Sequence, residues 1–162
     1  MSLSIQVRAA TIADLDQILA FIQQKAVFDG YRDALSATAE TLQQTLFGEF
    51  PYAEVAFAEV NSLPIGFVLF AQMYSSFLAQ PTLWIDDLFV QVEWRRQGVG
   101  TALLKHLAEI GKTRGCGRIE WTVATHNNAG IQFYRQQGAQ IREEVRVCRL
   151  DASAIANLVL AQ

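Results

Sequence analysis

The spacing of apolar residues changes repeatedly along the chain, and each change marks a new element. Residues 5–8 alternate, as a short strand does. Thr11 stands where a helix cap is expected, Asp14 follows three residues later, and Leu15, Ile18, Leu19, Ile22 and Ala26 then recur at helical spacing. The pattern predicts a loop over 28–37 and a short helix capped by Thr38 and running through Phe47. Two strands, 54–60 and 65–74, follow, joined by a turn at Asn61 and Ser62. After a loop at 75–81, residues 83–90 form an apolar strand broken only by Asp86 and Asp87. A connector over 91–97 leads into a long helix from Gly98, with Val99, Leu103, Leu107 and Ile110 on one face and Gly115 as its stop. Residues 118–123 predict a strand, 127–137 a helix closed by Gly138, 144–150 a final strand, and 153–160 a terminal helix. Strands and helices alternate without a proline-rich or charged linker, an internal repeat or a low-complexity segment. The expectation is one mixed α/β domain over 1–162 with a hairpin in its first half.

Composition narrows this further. The 162 residues are 51% hydrophobic and 18% charged, enough for a full core and too apolar for a disordered chain. The net charge of −3, with no basic stripe, argues against nucleic acid as the main partner. Cys116 and Cys148 are too few for a disulfide framework or a thiolate metal site. No His/Asp/Glu spacing suggests a metal; His106 and His126 read as solvent-facing side chains, although His126 precedes a motif described below. The N-terminus lacks the basic and apolar regions of a signal peptide. The apolar tract 154–161, interrupted by Asn157, is too short to cross a bilayer. A cytoplasmic protein with no membrane partner is the default expectation.

Arg95, Arg96, Gln97, Gly98, Val99 and Gly100 lie between a strong strand and a strong helix. A helix N-terminus presents unpaired N–H groups and a positive dipole end, glycines let the backbone approach a phosphate, and arginine adds a permanent charge. The segment asks for a phosphate-bearing cofactor. It is not a Walker loop, because Thr101 and Ala102 follow Gly100 where Lys and Ser or Thr would be needed, and it is not a dinucleotide fingerprint, because Leu103 replaces the third glycine. A second motif runs from Asn127, a good cap, through Ala129, Phe133 and Tyr134 to Gly138 and Ala139. By itself a Phe-Tyr pair on a short helix reads as core packing with a hydroxyl at the rim.

Together the two motifs resemble the GNAT superfamily of acyl-CoA-dependent N-acyltransferases. The pattern R-x-x-G-x-G opens a long helix, and a strand and N-x-x-A-x-x-F-Y-x-x-x-G-A follow. The wider likeness is to the diamine (spermidine/spermine) N-acetyltransferases and their thialysine-acetylating relatives. It is carried also by residues 7–11, 47–49, 65–67, 86–90 and 94–100. The resemblance implies a mixed, mostly antiparallel central sheet with helices on both faces and strands that splay at the coenzyme site. It implies acetyl-CoA as cosubstrate. Its phosphates would be held by Arg95, Arg96, Gln97, Gly98, Val99 and Gly100 with Thr101, and its pantetheine arm by Leu88, Phe89, Val90 and Asn127. Tyr134 would be the general acid near the thioester sulfur.

The chemistry suits those residue types. An alkyl ammonium has a pKa of about 10, so its proton must be removed before it attacks a thioester. By the resemblance Asp86 is the water-mediated base or amine anchor and Asp87 a second anchor. The family usually has Glu at the first position, and the shorter Asp86 makes direct abstraction the weaker version. Adjacent strand positions point to opposite faces, so Asp86 and Asp87 cannot form a dyad. The alternative is structural, one of them pairing with a core Arg or capping backbone groups, since a carboxylate in an apolar strand needs a partner. Phe28 and Asp29, with Tyr31 and Asp33, are candidates to hold a cationic substrate, by charge and by cation–π contact. The expected function is acetyl transfer to a small cationic primary amine: a diamine, a polyamine or a lysine-like side chain. A protein or peptide N-acetyltransferase and a non-catalytic CoA-binding regulatory domain are the alternatives. The resemblance also implies a homodimer, for which Val145, Val147, Leu150, Ile155, Leu158 and Leu160 supply an apolar surface.

Overall fold

A computed structural model describes residues 3–161, which divide between Thr122 and Val123 into two compact units. The first holds β1 (Gln6–Ala9), α1 (Leu15–Asp29), α2 (Ala39–Phe47), β2 (Glu54–Val60), β3 (Leu63–Ser75), β4 (Gln80–Val90), α3 (Val99–Thr113) and β5 (Ile119–Trp121). The strands form one sheet in the order β1-β2-β3-β4-β5. The first three pairings are antiparallel, and only β4–β5, joined across α3, is parallel.

Two apolar cores lie on opposite faces of this sheet, because strand side chains alternate. Ala56, Ala58, Ile65, Val68, Leu83 and Ile85 pack against Val99, Leu103 and Leu107 of α3. Val55, Phe57, Phe67 and Phe89 pack against Ile18 and Phe21 of α1 and Leu42 and Leu46 of α2. Phe21 sits stacked on Phe67, ring centroids 5.3 Å apart. The mostly antiparallel sheet with helices on both faces is therefore present.

Local signals set most boundaries. Thr38 accepts a hydrogen bond from the Thr41 amide and caps α2. Gly30, at φ 77°, closes α1 in the left-handed conformation that favours glycine. That stop comes two residues inside the segment expected to be loop, so Phe28 and Asp29 belong to α1, with Asp29 one turn after Lys25.

The second unit holds α4 (Asn128–Gln136) and α5 (Ala152–Leu160). Asp151 caps α5, its side chain accepting from the Ala154 amide at 2.8 Å. The strand expected over 144–150 does not form: this segment is irregular, and Val145 and Val147 are 63% and 67% exposed. Alternating residues make a strand only where a neighbouring strand satisfies their backbone, and among the described residues none pairs with this segment.

Candidate functional site

β4 carries an irregularity that organises everything at its C-terminal end. It pairs with β3 residue by residue, Leu69 with Asp87 and Phe70 with Ile85, and Asp86 is left out of the register. Such a bulge inverts the alternation of side chains downstream. Leu83 and Ile85, and beyond the bulge Leu88 and Val90, pack toward α3, while Phe89 joins the core under α1. Asp86 itself is exposed, and Asp87 is half-buried on the α1 side. The parallel pairing with β5 ends at the same point, with Ile85 opposite Trp121. Residues 86–90 thus continue past β5, and among the described residues no strand pairs with their outer edge. The backbone edge of Leu88, Phe89 and Val90, where a splay is expected, is thus left without a strand partner among the described residues. Gly66 keeps β3 close here, since a Cβ on it would meet the Phe89 carbonyl oxygen at 2.9 Å and Val99 Cγ1 at 3.2 Å.

The connector from β4 to α3 makes one 3-10 turn (Val92–Trp94) and then places Arg96 and Gly98 at positive φ, 58° and 86°. Gly98 has open space for a methyl group, its nearest neighbour being Ile5 Cδ1 at 3.9 Å, so backbone conformation is what calls for glycine there. The Ala102 amide donates to the Gly98 carbonyl at 2.9 Å, so the Val99, Gly100 and Thr101 amides lie ahead of it in the first turn. That donor-only first turn, at the positive end of a 15-residue helix, fits the phosphates of a coenzyme.

Arg95 holds this loop in place. Its Nε donates to the Val90 carbonyl at 2.9 Å, and its guanidinium carbon lies 4.4 Å from the Phe28 ring centroid and 5.5 Å from that of Phe89. Arg96 and Gln97 are exposed, the latter donating to the Glu93 carbonyl at 2.8 Å. Beside the loop opens a cleft of about 820 Å³ whose lining includes Phe28, Arg32, Phe89, Gln91, Glu93 and Arg95.

On the α1 face Lys25 meets two of the candidate carboxylates. It pairs with Asp29 one turn later and with Asp87 Oδ1 at 3.3 Å. Burial alone would lower the Lys25 ammonium, but the two carboxylates hold it above its ordinary value. Burial pushes the Asp87 carboxyl up; Lys25 pulls it partly back, and neighbouring Asp86 adds to the rise. A strand carboxylate does find a cation, but the partner is Lys25 of α1 and not the expected core Arg. The sequence pattern does not single out Lys25, because it places Asp29 in a loop; the i, i+4 spacing becomes a signal only once α1 reaches Asp29. Tyr31 and Asp33 are exposed, and Asp33 lies in a separate 3-10 turn (Arg32–Ala34).

In the second unit Asn127 caps α4, its Oδ1 accepting from the Gly130 amide at 2.9 Å. A Cβ on Gly130 would stand 2.6 Å from Asn127 Nδ2, so the cap needs glycine there. Tyr134 is half-buried, its ring centroid 5.2 Å from that of Phe133. His126 is exposed as expected; His106 is instead half-buried, at the edge of a small cavity beside Phe47 and Phe70. The structure thus gathers Asp86, Asp87, Phe28, Asp29 and residues 88–101 in the first unit, and Asn127 and Tyr134 belong to the second.

The model of the acetyltransferase (GNAT) family matches residues 24–139, which include both motifs. The chain belongs to the GNAT acetyltransferase family. It is 32% identical to an L-ornithine N5-acetyltransferase of Arabidopsis thaliana over 93% of this chain and 86% of that protein. It is 28% identical to the thialysine N-epsilon-acetyltransferase of Bos taurus over 84% of each. Among solved structures, an integron cassette protein of V. cholerae superposes with a TM-score of 0.80 at 25% identity over 99% of both chains. A soil-metagenome aminoglycoside acetyltransferase does so at 0.77 and 18% identity, over 91% of this chain and 95% of that one, which speaks for the fold alone. This GNAT protein is accordingly an acetyl-CoA-dependent N-acetyltransferase. Among its described residues no helix is long and apolar enough to cross a membrane.

Proposed function

We propose that this acetyltransferase acetylates the primary amine of a small cationic substrate, a diamine, a polyamine or a lysine-like amine, and that acetyl-CoA binds along residues 86–101. One observation carries the reading: the bulge sets the Asp86 carboxylate where β4 continues past β5, on the strand whose connector leads to a donor-only helix N-terminus. The relatives named for ornithine and thialysine acetylation support an amine acceptor. The family match crosses the division between the two units and supports reading 1–162 as one acetyltransferase domain.

Bound acetyl-CoA supplies an acetyl group on a thioester. The amides of Val99, Gly100 and Thr101 would hold its phosphates, with Arg96 adding charge, and the backbone of Leu88, Phe89 and Val90 its arm. Arg95 serves the same end indirectly, by fastening the loop to Val90 and Phe28. Asp86 would take the ammonium proton through a water, since its side chain is short and solvent-facing. Tyr134 would hold a proton at its hydroxyl for the departing sulfur, and Asn127 would shape the start of its helix. Neither cysteine has a part, because no covalent enzyme intermediate is needed.

The test is thiol release from acetyl-CoA across a panel of amines, with Tyr134→Phe alongside. Turnover is expected for at least one small amine and a fall of roughly a hundredfold or more in the variant. Absence of thiol release with every amine, or unchanged turnover in Tyr134→Phe where chemistry is rate-limiting, would overturn the reading. In calorimetry Gly98→Asp should abolish measurable coenzyme binding by placing bulk and negative charge at the phosphates.

We also propose a cytoplasmic homodimer. Its support is the exposure of Val145, Val147, Leu150, Ile155, Leu158 and Leu160 in the second unit. Light scattering at micromolar concentration should give twice the chain mass, and a clean monomer would refute it.

A further inference from the structure

A polycation site needs carboxylates and aromatic faces that stand ready to receive the second positive charge. Here both are already engaged by cations of the protein itself. Asp29 and Asp87 converge on Lys25. The face of Phe28, adjacent to Asp29 in α1, lies under the Arg95 guanidinium at 4.4 Å.

The side chains of Lys25, Asp29 and Asp87 are 21%, 33% and 19% exposed, so the three charges are only partly screened by water. Their sum is a single negative charge. A substrate ammonium approaching Asp87 therefore meets one uncompensated carboxylate of this group, and a second ammonium meets Lys25 or Arg95. The raised Asp87 carboxyl fits this: Lys25 does not fully offset its desolvation, so it still gains from one more cation. The cleft beside Phe28 is lined by two cations, Arg32 and Arg95, against one carboxylate, Glu93, so its charged lining is net positive and offers a positively charged tail no surplus of negative charge.

We propose that Lys25 determines acceptor specificity: its ammonium is a built-in counter-ion to Asp29 and Asp87, so the site favours amines whose far end is neutral or zwitterionic over those carrying a second positive charge. This rests on the reading above that the acceptor amine is deprotonated at Asp86, with Asp87 as the second anchor that the resemblance implies, and it narrows the substrate class named there. A lysine at this place costs the enzyme its grip on polyamines and relieves it of competition from them.

The experiment compares diaminopentane, pentylamine and free lysine as acceptors for the wild type, Lys25→Met, Lys25→Gln and Lys25→Arg. Lys25→Met should lower the Michaelis constant for diaminopentane roughly tenfold and make it rise with ionic strength. The constants for pentylamine and lysine should move by less than about twofold, and turnover should hold. Lys25→Gln keeps a donor for both carboxylates, guarding the fold, and should shift selectivity in the same direction. Lys25→Arg should behave as the wild type. Lys25→Met combined with Asp29→Asn restores a single negative charge, so its diaminopentane constant should return toward the wild-type value. An equal change for all three amines, or none for diaminopentane, would overturn the role of Lys25. Calorimetric binding of diaminopentane to wild type and Lys25→Met separates the two readings. If no amine releases thiol, the acetyl-transfer reading fails, and tighter binding to the variant still supports Lys25, whereas equal binding overturns it.

Discussion

Two places in the first unit use one cation to bridge two carboxylates, and they come out differently. Arg8 in β1 grips Asp14 with both terminal nitrogens, at 2.8 and 2.9 Å, and reaches Glu59 of β2 through Nε at 2.9 Å. The Arg8 hydrogen bond is the main reason the Asp14 carboxyl lies well below the usual range, against a smaller opposing effect of burial, and the Thr11 amide also donates to it, at 2.7 Å. Lys25 has a similar pair of partners, but it is a point charge, it stands 3.3 Å from Asp87, and Asp87 ends above the usual range. A planar fork satisfies two carboxylates in full and ties β1, β2 and the start of the first helix together. A single ammonium leaves one of them under-compensated. The first arrangement holds the fold. The second stands beside the bulge, where the acceptor amine is proposed to bind.

The sharpest way to break this contrast is in turnover. Asp86→Asn should lower turnover by about a hundredfold by removing the proton acceptor, whereas Asp14→Asn should leave it within about twofold, since Asp14 does not touch the site. Steady-state rates with acetyl-CoA and a reactive amine decide it; similar losses in both would mean Asp86 acts through the fold.

Stability should reverse the order. Arg8→Ala leaves Asp14 and Glu59 partly buried without their cation and should cost about 2 kcal/mol, below the usual figure for a buried pair because Arg8 is 40% exposed. Lys25→Met should cost less, about 1 kcal/mol, because removing the ammonium also removes its own desolvation, the largest effect on Lys25, and Met keeps the buried apolar stem. Urea midpoints measure both, and a larger loss for Lys25→Met would make the Lys25 bridge the structural one.

The smallest effect is in the pH dependence, where the two bridges should have opposite slopes. Asp14 has a depressed folded pKa, so its contribution is present above the ordinary carboxylate range and lost as pH falls through and below it. Asp87 has a raised folded pKa, so its contribution is present at low pH and lost as pH rises through that raised value. The stability difference between wild type and Asp14→Asn should therefore shrink on acidification, and that between wild type and Asp87→Asn should shift the other way. Parallel slopes would erase the distinction.

Much of the site was legible because its signals are local. The bounds of β2 coincide with the expected 54–60, and Thr38, Asn127, Gly98 and Gly115 do what their caps and turns predict. The order of strand, glycine-bearing loop and helix around Arg95–Gly100 needs only neighbours in the chain to be recognised. The expected strand at 144–150 failed for the converse reason: alternation shows which face would be buried, but a ladder needs a second strand.

What this chain's residues determined alone is therefore most of the elements, the glycine-bearing turn before α3, and membership in a family of acetyl transfer. Only the tertiary structure decided which way the carboxylates of β4 face, because the bulge at Asp86 arises from the register with β3 and not from β4 itself. Only packing put Lys25 beside Asp87 and Arg95 over Phe28, pairs separated by more than sixty positions along the chain. Charge compensation depends on distance and solvent in three dimensions, so Asp29, Asp87 and Phe28 read in sequence as an open cation site, and in the fold they stand against Lys25 and Arg95.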